Sequence, residues 1–159
     1  MRNLGFFTIL FLILSFTLMY GSDIEESPVG YWKTINEETG EVKSIVRIKK
    51  SDNILSGKII KLFPEPGEDP NPVCDECDGE RKNQPILGMK FMWGFKGEGE
   101  KWQDGKILDP ENGNIYNCRL EVIDEGRRMK VFGYIKLLVK IGRTQVWKRT
   151  KKPQGVQLD

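Results

Sequence analysis

Cys74 and Cys77 are the residues of this chain whose type and spacing most readily suggest chemistry. They stand in a Cys-Asp-Glu-Cys stretch inside a proline-rich loop, PEPGEDPNPVCDECDGERKNQP, that runs from Pro64 to Pro85. Three chemistries are open to such a pair. In an oxidising compartment it closes as a structural disulfide. As zinc ligands the two thiolates would have to recruit Asp75, Asp78 or Cys118, because a tetrahedral site takes four donors. As a redox centre they would need a thiolate stabilised by positive charge. Asp75, Glu76, Asp78 and Glu80 crowd the pair instead and oppose ionisation. The disulfide is therefore the expected state, with no metal and no cofactor. Cys118 lies on the apolar face of an alternating segment, where a buried, inert thiol is expected.

The chain contains no histidine. That excludes a Ser-His-Asp triad, a Cys-His dyad and every histidine metal site. Carboxylates remain. Glu98, Glu100, Asp104, Asp109 and Glu111 are numerous enough to supply a pair for glycoside-type acid–base chemistry. They sit among glycines and turn residues, so solvated loop ends account for them more simply. The same holds for Glu65, Glu68, Asp69 and Asp75 as calcium ligands, since no EF-hand spacing accompanies them. The expectation is a protein that is not an enzyme.

The elements that carry these residues read as strands. Residues 1–22 have Arg2 and then an apolar run from Leu4 to Met19, the layout of a secretory signal peptide, with an uncleaved anchor as the rival. A polar segment, 23–29, leads into a single domain at 30–150, and 151–159 reads as a flexible tail. Strand-length apolar patterns cover Gly30–Ile35, Val42–Lys50, Ile54–Phe63, Ile86–Phe95, Lys101–Leu108, Ile115–Ile123, Arg128–Ile135 and Thr144–Arg149. Leu137–Lys140 could extend the seventh. Ser51-Asp52-Asn53 and Asp109-Pro110-Glu111-Asn112-Gly113 are strong turn sequences. The loop 64–85 is long enough to need a staple. About eight strands without an amphipathic helix fit an all-β, antiparallel barrel, because closure removes exposed edges. A β-sandwich is the alternative.

The first and last strands are neighbours in such a barrel. Trp32 and Arg149, with Trp147 in phase, are therefore expected to form a plug at one end, with Arg143 a second candidate for the cation. This arrangement resembles that of lipocalins. Trp102, Tyr116 and Tyr134 are the candidates for lining an interior cavity, with Trp93 and Phe132 as further aromatics.

Gly30-Tyr31-Trp32, the Cys74–Cys77 loop, Asn83-Gln84-Pro85-Ile86-Leu87-Gly88, Gly105-Lys106-Ile107-Leu108-Asp109-Pro110, Gly133-Tyr134 and Gly142 to Arg149 together resemble the bacterial exported family called domain of unknown function 2147. The resemblance spans about residues 29 to 149. Lys136–Lys140 departs from it, being more apolar and more basic. It implies a lipocalin-like (calycin-like) β-barrel and no particular activity.

Net charge is +2, with both signs interleaved over most of the chain, which gives no footprint of a nucleic-acid binder. The expected function is therefore non-catalytic binding of a small apolar or amphipathic molecule by an exported, periplasmic or secreted barrel. No stable membrane insertion is expected once the leader is removed. The alternatives are a cell-envelope structural or protein-interaction module with a filled core, and, more remotely, a carboxylate-based hydrolase.

Overall fold

The structure is a computed structural model that describes residues 26–137 and 140–156. The expected signal peptide at 1–22 lies outside the described residues. Eight antiparallel strands close into one barrel in sequence order. They are β1 (Gly30–Ile35), β2 (Val42–Ser51), β3 (Ile54–Leu62), β4 (Lys90–Glu98), β5 (Lys101–Leu108), β6 (Ile115–Ile123), β7 (Arg128–Lys136) and β8 (Lys140–Thr150). The sandwich alternative is thereby set aside.

Alternation explains the inward faces. Cys118, Leu120 and Val122 on β6, Met129 and Val131 on β7, and Trp147 on β8 all point into one core. Tight turns set the register at the end where β2 meets β3 and β6 meets β7. Asp52 and Asn53 both adopt positive φ (50° and 61°), the backbone that matches a two-residue hairpin to strand twist. At β5 a bulge around Asp104 (φ 60°) puts both Trp102 and Gly105 on the inner face, three residues apart. A side chain at position 105 would meet the ring of Phe95, so this glycine makes room for the aromatic of the neighbouring strand β4.

Two boundaries differ from the sequence reading. Ile86 to Met89 belong to the long loop and not to β4, because Pro85 pairs with Val73 and Ile86 donates to the Pro72 carbonyl at 2.9 Å. β8 begins at Lys140, four residues before the expected Thr144, and pairs with β7 from Lys140 to Lys148. Against β1, by contrast, β8 makes only three pairs, Tyr31 with Thr150, Trp32 with Arg149 and Lys33 with Lys148. The seam between first and last strands is thus closed at one end of the barrel and parted toward the other.

Candidate functional site: a closed end and an open mouth

The closed end is built from the two residues expected to meet there. The Arg149 guanidinium lies 4.2 Å from the centre of the Trp32 ring. It donates to the carbonyls of Ser27 (2.6 Å), Val29 (2.9 Å) and Gly126. The Trp32 indole is fully buried and donates to the Pro28 carbonyl at 2.7 Å. One planar cation therefore ties the incoming chain, the β6–β7 turn and β8 together, which a point-charge lysine could not do. Trp147 is buried nearby but takes a different role. It stacks on Phe91 with centroids 6.2 Å apart, and its indole donates to Gln145 at 3.1 Å. Arg143 is not part of this plug. Four positions of β8 from Trp147 toward the other end, it pairs with Glu37 in the β1–β2 loop, with Nε to Oε2 at 2.8 Å.

Of the three candidate cavity aromatics, only Tyr116 lies at the open end on the inner face. Trp102 is inward but buried at the closed end, donating to the Gly99 carbonyl at 3.0 Å. Tyr134 is on the outside. It is paired across β6 with Asn117, alternates with the inward Val131 and Gly133, stacks on Phe132 at 5.3 Å and is covered by Lys140 at 5.1 Å. Its low exposure comes from that outer stack, so burial alone does not mark it as interior. Phe132 is outward for the same reason, beneath Arg119.

The lower interior is filled. Trp32, Val46, Leu55, Met92, Phe95, Cys118 and Met129 each expose nothing. Toward the mouth the inner face changes character. The pair Ile107–Tyr116 on β5 and β6 and the pair Ile135–Ile141 on β7 and β8 continue one inner-face row, by the unbroken register of β6 with β7. Ile135 is 44% exposed and Ile141 56%, although strand parity aims both inward. Next along β8 on this face are Arg143 and Gln145. Nothing in the sequence reading had selected Ile135, Ile141, Arg143 or Glu37 for the mouth. The signal available was the parity run Met129, Val131, Gly133, Ile135.

The Cys loop forms one wall at this end. Cys74 and Cys77 are bonded to each other and buried, and Cys118 is the free thiol among the described residues. The loop folds as a small hairpin, Cys74 donating to Gln84 at 2.9 Å and Asn83 to Cys74 at 2.9 Å. Arg81 reaches back over Trp93 at 4.7 Å. Gly113 in the β5–β6 turn takes φ 71° and lies so close to the Glu76 carbonyl that any Cβ would strike it. That turn also carries Glu111, which pairs with Lys43 on β2 and raises the lysine pKa, chiefly through their hydrogen bond. Arg143 is likewise raised, chiefly by its hydrogen bond to Glu37, with smaller attractions from Glu38 and Asp109. The open end thus carries two ion pairs and an apolar inner row. Outside it, a groove of about 490 Å³ runs between Gly40–Lys43 and Phe63–Glu68.

The carboxylates considered for hydrolysis do not converge. Glu98 and Glu100 flank the β4–β5 turn at the closed end, whereas Asp109 and Glu111 belong to the β5–β6 turn at the mouth. Burial pushes the Cys118 thiol up to about 12, which keeps it protonated and unreactive at neutral pH.

Comparison with known proteins agrees with this architecture. Residues 30–149 match the family model described as "Uncharacterized protein conserved in bacteria (DUF2147)". No curated protein matches the chain. Among solved structures the barrel is similar to protein HP1028 of Helicobacter pylori, which is described as belonging to the lipocalin family. The two share 16% identity over 79% of this chain and 84% of that one, with a TM-score of 0.66.

Proposed function

The chain belongs to that bacterial DUF2147 family, and from this premise we propose that it is a non-catalytic binding protein. Its open mouth receives a small apolar or amphipathic molecule. The observation that carries the reading is the inner-face pair Ile135–Ile141, left 44% and 56% exposed at the end of an otherwise shut interior. Apolar side chains aimed inward but still wet are what a ligand's hydrocarbon would cover, gaining the free energy of removing both surfaces from water. Arg143 and Gln145 stand next on the same face for a polar end group. The lipocalin-like fold adds support, because such barrels can hold one small ligand. The disulfide supports action in an exported, oxidising compartment.

Native mass spectrometry of protein recovered from its own host tests this. A co-retained small molecule, lost in the Ile141→Asp variant, is the expected result. A second reading, a cell-envelope interaction module, is favoured by the fully buried lower core. It is supported if protein from the host carries no small molecule and its partner is a second polypeptide.

A further inference from the structure

We propose that the groove between residues 40–43 and 63–68 is a docking site for an extended, lysine- or arginine-rich segment of another polypeptide. This inference goes beyond the apolar molecule at the mouth and does not depend on it. The groove holds about 490 Å³. It opens where the β2–β3 ladder ends, at the bond from the Phe63 N–H to the Lys43 carbonyl (2.9 Å). Its apolar surface comes from Val42, Phe63, Pro64 and Pro66, with Phe63 38% exposed. Its charged lining is Glu41, Glu65 and Glu68, with Lys43 as the one cation.

Charge complementarity selects the occupant. None of Glu41, Glu65 and Glu68 has an ion-pair partner among the described residues. Lys43 is taken up by Glu111, and Lys61, the next lysine back along β3, lies over the Phe63 ring at 4.9 Å from its centre. The acidic field continues past the groove along both flanking loops. Residues 36–42 carry three Glu and no Lys or Arg, and residues 64–80 carry seven Asp and Glu and no Lys or Arg. An occupant that meets this whole field is longer than the groove, which favours a chain with repeated cations over a single small amine. A divalent ion fits less well, because among the described residues no three His, Cys, Asp or Glu side chains converge to hold a metal. The two walls are also set in advance. Asn36 Nδ2 donates to Glu65 at 3.2 Å, which ties one flanking loop to the other, and the Glu65 N–H donates to Glu68 at 2.8 Å. Carboxylates already held in place cost less to order on binding. Long basic side chains suit this surface, because their methylenes can lie on Phe63 and the prolines while their charged ends reach the carboxylates.

The test is a fluorescence-anisotropy titration of the full chain against two labelled peptides, Lys-Val-Lys-Val-Lys-Val and Glu-Val-Glu-Val-Glu-Val. Saturable one-to-one binding of the lysine peptide, weakened by salt, is expected, with none of the glutamate peptide. The double variant Glu65→Gln/Glu68→Gln is expected to weaken binding about tenfold or more. Both side chains are exposed and glutamine keeps an acceptor oxygen, so near-UV circular dichroism should be unchanged and separates lost docking from lost folding. Glu98→Gln/Glu100→Gln removes the same charge at the closed end and is expected to bind like the wild type. Equal binding by the wild type and the groove variant overturns the proposal. So does an equal loss in the closed-end variant, equal binding of both peptides, or no saturable binding of either. Titration with a neutral apolar dye in the absence of peptide reads the mouth separately, so failure of docking and failure of ligand binding are distinguishable.

Discussion

Single side chains hold the closed end, and their contributions differ in kind. Trp32 is fully buried and both stacks and donates, so Trp32→Ala is expected to cost about 3–5 kcal/mol by urea denaturation. Arg149→Lys keeps the charge but cannot span the carbonyls of Ser27, Val29 and Gly126. It is expected to cost about 1.5–3 kcal/mol, because buried acceptors lose charged donors. A Lys variant as stable as wild type would mean that charge alone matters there. Cys118 gives a pH signature. Its folded pKa is raised to about 12 from an unfolded 9.0, so between these values the native state holds a proton that the unfolded chain has released. Stability therefore falls with rising pH across that window, by about 1.4 kcal/mol per unit from this group. Below pH 9 the contribution is fully present. Cys118→Ala should remove this part of the alkaline slope, measured as the difference between the two proteins. An unchanged difference from pH 9 to 12 would contradict the burial of the thiol.

Among the elements, the Cys loop and the β7–β8 hairpin are the ones that shape the open end. The loop was legible as stapled, because five prolines and a close cysteine pair leave little else for it to be. Thiol titration of protein purified without reductant, under denaturing conditions, should find one free thiol; three would refute the staple. Its docking partner was not legible. That Gly113 abuts Glu76 is a tertiary contact between distant segments, and a turn glycine reads the same with or without it. Gly113→Ala is expected to cost about 1–3 kcal/mol, from positive φ and a backbone collision together. The strands of the barrel were readable where alternation was clean, as in Tyr116, Cys118, Leu120 and Val122. The reading failed at Tyr134, where an aromatic in an apolar stretch was taken as inward. Parity counted from Val131 places it outside, and its burial comes from Phe132 and Lys140. It failed again at Ile86–Met89, where apolar residues serve a loop that returns to its own start.

At the scale of the molecule, β1 pairs with β8 only at one end of the barrel, and the inner-face residues left exposed, Ile135 and Ile141, lie toward the other. Chain length and strand count made the closed barrel foreseeable. The parted seam was not, since pairing between the chain's two ends leaves no local pattern. Packing also argues against the expected interior cavity. Trp102, Leu120 and Val131 fill the centre, so the proposed binding surface is the inward-aimed but exposed pair Ile135 and Ile141 at the rim, beside Tyr116. The central claim is that this rim binds an apolar molecule. Its most direct test is equilibrium titration of a fluorescent fatty acid into the wild-type protein and into Ile135→Ser/Ile141→Ser, with both checked for an intact near-UV spectrum. Saturable one-to-one binding by the wild type, weakened about tenfold or more in the double variant, is the predicted result. Binding of equal strength in both proteins, or no saturable binding in the wild type, would contradict it.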